Sequence, residues 1–149
     1  DLIIADEPTT ALDVIVQDQI IQKIKQIQQE QNIAVVFISH DIGVVAEVCH
    51  DIMVMYRGRI VEAGRREEVF RSPVHPYTQA LLGSYLTIDG LVDVNSTGPG
   101  APCEYPEARE PGICGYLENC PQAGAVCRTR KPQWREVTAT HKVYCHLCE

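Results

Sequence analysis

The stretch Leu2–Asp13 reads LIIADEPTTALD, and it decides the fold that the sequence predicts. Its first four residues are apolar without alternation, as is typical of a buried strand in a parallel sheet. Two acids, Asp6 and Glu7, follow the strand directly. Because ligands of open α/β sheets bind at the carboxyl ends of the strands, this pair stands at the predicted ligand edge.

The residues that follow alternate helix and strand patterns. Residues 14–31 carry apolar side chains close to helical spacing, with Asp13 suited to the N-cap and Asn32 to the stop. The β-branched run 33–38 predicts a central strand. Strand, helix and strand in this order imply a right-handed crossover and a parallel sheet. Further elements are predicted as a helix over about 42–49, two strands over 51–62 around Arg57-Gly58, and short helices over 66–70 and 77–86.

Composition excludes some classes of function. The chain has 149 residues, 45% of them hydrophobic, and a net charge of −7. An acidic chain lacks the basic footprint of a general nucleic-acid surface, so we expect no nucleic-acid partner. Its apolar runs all fall well short of the ~20 residues of a membrane-spanning helix. Because the sequence opens inside a strand pattern without an initiator Met, we expect a fragment of a longer chain.

The acids and a later histidine suggest phosphate chemistry. An apolar strand followed by two acids is the Walker B arrangement. There Asp6 would hold Mg²⁺, and Glu7 would polarise the water that attacks a γ-phosphate. Taken alone, the two acids also fit an exposed strand end. His40, which ends the next strand, likewise fits a strand-end histidine with no catalytic role.

The wider motif makes the resemblance specific. Residues Asp6–Asp13 resemble the Walker B and D-loop of ABC transporter ATPases, and His40 resembles their switch histidine. The resemblance implies that Glu7 and His40 are catalytic, that Asp6 binds Mg²⁺, and that Asp13 serves an ATPase dimer interface. It also implies ATP and Mg²⁺ as cofactors, with membrane permease subunits and a second ATPase subunit as partners. The implied location is cytoplasmic, peripheral on the inner face of the cell membrane.

A second motif narrows the resemblance. The run Pro73–Leu82, PVHPYTQALL, resembles the His-Pro-Tyr-Thr element of oligopeptide, dipeptide and nickel importer ATPases. Pro76 is also a favourable first residue of a helix, and we assign the motif no catalysis. The resemblance implies a subunit that powers peptide import, while the transported solute is not specified by these residues.

Other motifs of that family do not occur in these 149 residues. No G-x-x-x-x-G-K-[ST] phosphate loop is found, nor a signature motif or glutamine loop, all of which precede Walker B in the family. We therefore expect an α/β fold that is the C-terminal part of a P-loop NTPase core and does not hydrolyse ATP alone. The predicted segments are the ATPase portion 1–64, a helical link 65–88, and a Cys-rich, loop-rich extension 89–149.

Six of the seven cysteines lie after residue 100. Four of them, separated by five, six and seventeen residues, resemble the C-terminal pattern of peptide-importer ATPases, in which some members hold a [4Fe–4S] cluster: Cys114, Cys120, Cys127 and Cys145. Four thiolates suit either [4Fe–4S] or tetrahedral Zn²⁺; the spacing, wider than that of the usual zinc knuckle, favours iron–sulfur, and disulfides or free thiols stay open. Cys103 and Cys148 are spare ligands, and two histidines, His141 and His146, keep a mixed Cys/His zinc site open.

A different class of function also fits part of the sequence. The chain could be a stand-alone iron–sulfur or zinc-binding interaction module without ATPase activity. Such a module has no physical need for Glu7 and His40, which favours the ATPase fragment. Without preceding strands, the sheet edge beside the first strand would be open, so we expect the isolated chain to self-associate.

Overall fold

The computed structural model describes residues 1–88 and 113–147. The chain divides into two compact units, Asp1–His50 and Asp51–Glu149. The sequence analysis assigned the two strands over 51–62 to the ATPase portion. In the structure these residues belong to the second unit. Residues 89–112 of the predicted loop-rich extension, and the spare cysteines Cys103 and Cys148, lie outside the described residues.

The first unit is a strand–helix–strand–helix arrangement. It comprises β1 (Leu2–Asp6), α1 (Val14–Gln31), β2 (Ala34–Ile38) and α2 (Ile42–Val48). The strands β1 and β2 pair in parallel along their whole length. The predicted parallel pairing of two strands joined by a helix is therefore confirmed, and the α/β fold class with it.

Side chains cap both helices of this unit where the sequence predicted their ends. The Asp13 carboxylate accepts hydrogen bonds from the backbone N–H groups of Ile15 and Val16, which fixes the start of α1. Asn32 ends α1 in the left-handed conformation with φ of 50°. Asp41 caps α2 in the same way as Asp13 caps α1.

The predicted burial of the first strand is wrong for this chain. Leu2 and Ile4 are 57% and 65% exposed, and Val36 and Ile38 of β2 are also exposed. Parallel strands are continuous apolar runs because helices cover both of their faces. In the described part of this unit α1 supplies the buried residue Ile21, while the face that carries these four side chains remains open.

The second unit contains a four-stranded antiparallel sheet. Its strands are β3 (Asp51–Tyr56), β4 (Arg59–Arg65), β5 (Trp134–Glu136) and β6 (Lys142–Tyr144), in the order β3-β4-β6-β5. The hairpin β3–β4 turns at Arg57-Gly58, as the sequence predicted. Both turn residues have positive φ, 47° and 73°, which suits a two-residue hairpin turn.

The described residues of the second unit also form the helices α3 (Arg66–Arg71), α4 (Pro76–Ile88) and α5 (Ala125–Thr129). The two helices predicted over 66–70 and 77–86 are confirmed. The sequence predicted no element after residue 88, yet the structure places α5, β5 and β6 there. The buried apolar residues come from nearly every element of the unit, among them Ile52, Val61, Val69, Leu82 and Val143.

The helices are short or polar. Among residues 1–88 and 113–147, none of them is both long and apolar enough to cross a membrane.

Candidate functional site

The first candidate site lies where β1 and β2 end. The parallel register pairs Asp6 with Ile38, so the residues that follow the two strands become neighbours. The backbone N–H of Glu7 donates to the Ile38 carbonyl at 2.8 Å, and Glu7 has a positive φ of 47°. His40 Nδ1 lies 2.9 Å and 3.0 Å from the two Glu7 carboxylate oxygens. The structure therefore brings the two predicted catalytic residues into direct contact.

A threonine from the motif completes this arrangement. The Thr10 hydroxyl donates a hydrogen bond to Glu7 Oε2. This bond, followed by the bond from His40, lowers the pKa of the Glu7 carboxyl below its ordinary value. In turn, the Glu7 carboxylate raises the pKa of His40. Sequence reasoning named no role for Thr10, although its place three residues after Glu7 was the available signal.

The site is open to solvent. The side chains of His40 and Glu7 are 75% and 42% exposed. Asp6, the predicted Mg²⁺ ligand, is also exposed and precedes Glu7 directly. Asp13 acts in the structure as the N-cap of α1, through its carboxylate. Carboxylates that face water can accept a hydrated Mg²⁺ ion, so the donor chemistry of Asp6 fits that metal.

The second candidate site is a cavity in the second unit. Its lining includes all four cysteines of the predicted ligand set, together with two histidines: Cys114, Cys120, Cys127, Cys145, His75 and His146. All four thiols are free rather than paired in disulfides. Burial raises the pKa of three of these thiols, those of Cys114, Cys120 and Cys145. A metal that bound here would have to displace their protons.

These side chains do not converge on a point. Among the described residues, no three His, Cys, Asp or Glu side chains are close enough together to hold a single metal ion. Tetrahedral zinc needs four sulfur or nitrogen ligands at about 2.0–2.3 Å from one centre. The structure thus gathers the predicted cysteines around one cavity without arranging them for one ion.

A buried carboxylate lies at the centre of the second unit, and sequence reasoning missed it. Glu62 on β4 is fully buried and accepts three hydrogen bonds. The donors are the backbone N–H groups of Val74 and His75, at 2.8 Å and 3.0 Å, and His141 Nε2 at 2.7 Å. Three donors compensate the loss of solvent around a buried carboxylate. No signal in the sequence indicated this cluster, because its members are far apart along the chain.

This cluster corrects the prediction for His141. The sequence kept His141 open as a zinc ligand, but its Nε2 is bonded to Glu62, and the residue does not line the cysteine cavity. His146 does line the cavity, and its Nε2 lies 3.0 Å from the Arg130 carbonyl. The mixed Cys/His site therefore loses one of its two candidate histidines.

The Pro73–Leu82 motif connects the buried carboxylate with the cavity. His75 is 1% exposed, and it lines the cavity while its backbone N–H bonds Glu62. Its Nδ1 accepts a hydrogen bond from the Tyr77 N–H at 3.0 Å, and its carbonyl accepts from Gln79 N. His75 is therefore the N-cap of α4. Burial lowers the pKa of His75 to about 4, so the ring is neutral at physiological pH.

Comparison with known proteins agrees with the resemblance to ABC transporter ATPases and with the narrower resemblance to peptide importers. The C-terminal region of the oligopeptide/dipeptide transporter family matches residues 61–127. The probable peptide ABC transporter ATP-binding protein y4tR of Sinorhizobium fredii is 44% identical over 146 residues, which cover 97% of this chain and 43% of that protein. The dipeptide transport ATP-binding protein DppD of Bacillus subtilis is 40% identical over 99% of this chain and 43% of its own length.

A further relative and one solved structure are also similar to parts of the chain. The oligopeptide transport ATP-binding protein OppD of Salmonella typhimurium is 43% identical over 88% of this chain and 38% of its own length. The structure of cbiO1 from Clostridium perfringens, part of the ABC transporter complex cbiONQ, is 27% identical over 61% of this chain and 36% of that chain. Its TM-score of 0.45 is too low to define a shared fold.

The chain thus spans less than half the length of the curated relatives it matches. Within that span the similarity is nearly continuous, and it includes both the Asp6–Asp13 motif and the Pro73–Leu82 motif. The chain is similar over nearly its whole length to peptide and dipeptide ABC transporter ATP-binding proteins, and residues 61–127 match the C-terminal region of the oligopeptide/dipeptide transporter family.

Proposed function

We propose that this chain is part of the ATP-hydrolysing subunit of an ABC importer of oligopeptides or dipeptides. The observation that carries the proposal is the contact between Glu7 and His40 at the carboxyl ends of two parallel strands. This is the edge at which α/β sheets bind ligands, and both side chains are open to solvent there. The printed functions of the relatives, peptide and dipeptide transport, support the substrate class.

Each residue of this edge has a role in the proposal. Glu7 is the general base: its carboxylate accepts the proton of the attacking water, and its lowered pKa keeps it ionised at neutral pH. His40 orients that carboxylate and contacts the γ-phosphate. Asp6 would hold Mg²⁺, which when bound neutralises phosphate charge. Asp13 is assigned to an ATPase dimer interface, in addition to its observed role as a helix cap.

The chain alone is proposed to be inactive. Hydrolysis requires backbone N–H groups that hold the β- and γ-phosphates, and the glycine-rich motif that supplies them does not occur in these 149 residues. We expect phosphate release from ATP and Mg²⁺ to be no faster with the isolated chain than in buffer alone. Release that falls when Glu7→Gln is introduced would contradict this part of the proposal.

A chimera tests the ATPase assignment directly. Residues 1–149 would replace the matching segment of Bacillus subtilis DppD, to which they are 40% identical. We expect the chimera to hydrolyse ATP and to restore dipeptide uptake in cells that lack DppD. Glu7→Gln should lower hydrolysis by roughly 10²–10⁴-fold, the usual contribution of a general base.

The matched control for that experiment is Glu67→Gln. Glu67 is exposed like Glu7, but it lies on α3 in the other unit and pairs with Arg66. Hydrolysis by this variant should equal that of the unmodified chimera. A folded chimera that binds ATP but does not hydrolyse it, or equal losses in both variants, would contradict the proposed role of Glu7.

We further propose that the four cysteines of the cavity hold a [4Fe–4S] cluster, with zinc as the alternative metal. The support is their joint lining of one cavity as free thiols. In a four-iron cluster each thiolate binds a different iron, so the sulfur atoms stand around a group rather than around one ion. Such a cluster would have a structural or sensory role here rather than a catalytic one.

Metal content of anaerobically purified protein tests this assignment. We expect about four irons and four sulfides per chain with broad absorbance near ~400 nm, as a Cys₄ cluster requires. Cys127→Ser should lose the iron, whereas Cys49→Ser, outside the cavity, should keep it. One zinc without iron would establish the alternative metal. Protein with neither metal would contradict the assignment.

The same proposal implies a location and partners for the intact protein. The intact protein would work in the cytoplasm on the inner face of the cell membrane, with permease subunits and a second ATPase subunit. In isolation, the open apolar face of β1 and β2 is expected to make the chain self-associate. A single monomeric species in sedimentation would contradict that expectation.

A further inference from the structure

Thr10 is bonded to Glu7 through both its backbone and its side chain. The Thr10 backbone N–H donates to the Glu7 carbonyl at 3.2 Å, and the Thr10 hydroxyl donates to Glu7 Oε2. The backbone bond closes a β-turn over residues 7–10, with Pro8 at the second position, where proline is favoured. Because this turn brings its first and last residues together, the Thr10 hydroxyl lies within reach of the Glu7 carboxylate.

The loop that carries Thr10 is held on both sides of this turn. The backbone N–H of Glu7 donates to the Ile38 carbonyl at 2.8 Å, which ties the start of the loop to β2. Further along, the Leu12 N–H donates to the carbonyl of Thr9 at 3.3 Å, and Thr9 is buried. The Thr10 side chain is exposed, but it starts from a backbone position that these bonds determine. Its branched Cβ also restricts χ1, so the hydroxyl loses little freedom when it bonds Glu7.

The two oxygens of the Glu7 carboxylate have different donors. His40 Nδ1 lies almost equally close to both, 2.9 Å from Oε1 and 3.0 Å from Oε2, whereas the Thr10 hydroxyl bonds Oε2. An ionised carboxylate only accepts hydrogen bonds, so the Thr10 hydroxyl must be the donor. The terminal torsion of a glutamate is otherwise broad. A second donor on one oxygen therefore restricts the orientation of the carboxylate plane.

We propose that Thr10 is a positioning residue for the general base: its hydroxyl holds one Glu7 oxygen and thereby orients the other towards the attacking water. The inference rests on the proposed ATPase function and deepens it. In that reaction an O–H bond of water breaks and the proton passes to Glu7. The water oxygen forms a bond to the γ-phosphorus, and the bond from this phosphorus to the leaving oxygen of ADP breaks. A carboxylate of fixed orientation is in place for this proton transfer without a prior search over rotamers.

The first test needs no nucleotide. In the 149-residue chain, three-bond NMR couplings of the Glu7 side chain report how many rotamers it samples. We expect one dominant rotamer in the wild type and in Thr10→Ser, which keeps the hydroxyl. Averaged couplings are expected in Thr10→Val, which keeps the shape of threonine but has no hydroxyl.

The matched control is Thr140→Val. The Thr140 hydroxyl donates to Glu68 Oε2 at 2.7 Å, so this substitution removes the same kind of bond from the second unit. It should leave the Glu7 couplings as they are in the wild type.

The second test is kinetic and uses the chimera with Bacillus subtilis DppD. Thr10→Val should lower kcat for ATP hydrolysis by roughly 3–10-fold, which is about the contribution of one hydrogen bond. The KM for ATP should not change, because a residue that acts through Glu7 does not hold the nucleotide. Thr10→Ser should restore most of the lost kcat, and Thr140→Val should have the kcat of the unmodified chimera.

The outcomes distinguish this inference from the proposal on which it rests. A folded chimera that does not hydrolyse ATP, or whose rate does not respond to Glu7→Gln, would overturn both. If Glu7→Gln removes hydrolysis while Thr10→Val keeps the full kcat, only the role of Thr10 is overturned. An equal fall of kcat in Thr10→Val and Thr10→Ser would also overturn it, because the effect would not follow the hydroxyl. Glu7 couplings that are the same in the wild type and Thr10→Val would overturn it as well.

Discussion

The two units of this chain each contain a contact between a glutamate and a histidine, and the surroundings of the two pairs are opposite. Glu7 and His40 lie 2.9 Å apart, with side chains 42% and 75% exposed. Glu62 and His141 lie 2.7 Å apart, with side chains 0% and 2% exposed. The chemical groups and the distances are nearly the same. What differs is the access of water and the number of other donors around the carboxylate.

That difference fits the reactive role proposed for Glu7 and a structural role for Glu62. Glu7 is reached by one hydroxyl and one imidazole, and solvent can still replace either. Glu62 is surrounded by two backbone N–H groups and one imidazole, and these bonds connect β4 with the residues before α4 and with His141. A carboxylate with buried, immobile hydrogen-bond donors holds the surrounding elements in place. A carboxylate that is exposed to solvent can exchange protons with a substrate.

The largest expected effect comes from breaking the buried pair. Glu62→Gln preserves volume but replaces one carboxylate oxygen by an amide N–H₂, which then faces at least one of the three donors. We expect it to lower the free energy of unfolding by about 3–5 kcal/mol, since breaking a buried pair leaves partners unpaired. Urea unfolding followed by the fluorescence of Trp134, the only tryptophan, measures this unit.

The control is the corresponding change in the exposed pair. Glu7→Gln should leave the Trp134 transition unchanged, because solvent screens exposed ion pairs and Glu7 lies in the other unit. Equal effects of the two substitutions would remove the distinction between the pairs. An unfolding midpoint of Glu62→Gln within error of the wild type would do so as well.

The second prediction concerns acid and the buried histidine beside this cluster. Burial lowers the pKa of His75 from 6.5 to about 4. Between these values the unfolded chain binds a proton that the folded chain does not, so stability falls as the pH falls from 6.5 to 4. The total loss is up to about 3 kcal/mol, at 1.36 kcal/mol for each pKa unit. Unfolding of the metal-free chain at several pH values measures it.

His75→Asn is the control for this prediction, because asparagine keeps the cap of α4 but does not titrate. The difference in stability between the wild type and this variant should shrink or reverse as the pH falls through this window. Parallel pH profiles in the two proteins would contradict the assignment of the acid sensitivity to His75.

The third prediction tests how tightly His141 is held by Glu62. A Cβ at Gly64 would lie 3.0 Å from His141 Cδ2 and 3.2 Å from His141 Cα. Because the ring is bonded to Glu62, it cannot move aside freely, and we expect Gly64→Ala to cost about 2 kcal/mol through overpacking. Thermal unfolding followed at Trp134 would measure this cost.

Gly83→Ala is the matched control. Gly83 lies within α4, and an added Cβ there meets no atom within 4 Å. Alanine should therefore stabilise the helix by about 0.5–1 kcal/mol. If Gly64→Ala were tolerated as well as Gly83→Ala, the close packing of His141 against β4 would be refuted.

The comparison of the two units also explains which parts of the fold and of the candidate sites could be predicted from the sequence. In the first unit the interactions are local: Asp13 and Asp41 cap helices that begin one residue later, and the Glu7–His40 contact follows from parallel pairing. Such local interactions are visible in the sequence as motifs and periodic patterns. The predicted elements of this unit were accordingly confirmed, and its predicted pair of residues lies in contact.

The second unit depends on partners that are distant in sequence. Glu62 meets His141 across 79 positions, and β4 pairs with β6, a strand of only three residues. Three residues are too few to show alternation, and a glutamate in a strand ordinarily predicts an exposed side chain. The cysteine spacing predicted which thiols would share a cavity, but not that His75 would join them.

The smallest expected effect is on the protonation of the exposed pair. The hydrogen bond from His40 to Glu7 raises the pKa of His40, so the stabilisation from this pair is present below that raised pKa and is lost as the pH rises through it. Glu7→Gln should return the pKa of His40 towards 6.5, measured by the imidazole Cε1–H chemical shift in NMR.

Thr10→Val refines this test, because the Thr10 hydroxyl is the largest cause of the lowered pKa of Glu7. The variant should raise the pKa of Glu7 while that of His40 stays elevated, since the imidazole still meets a carboxylate at neutral pH. A His40 pKa that did not respond to Glu7→Gln would show that the two side chains are not paired in solution. In the proposed mechanism Glu7 must release one hydrogen-bond partner before it can receive a proton. We therefore expect the loss of the Thr10 hydrogen bond in Thr10→Val to make Glu7 more basic without removing its function.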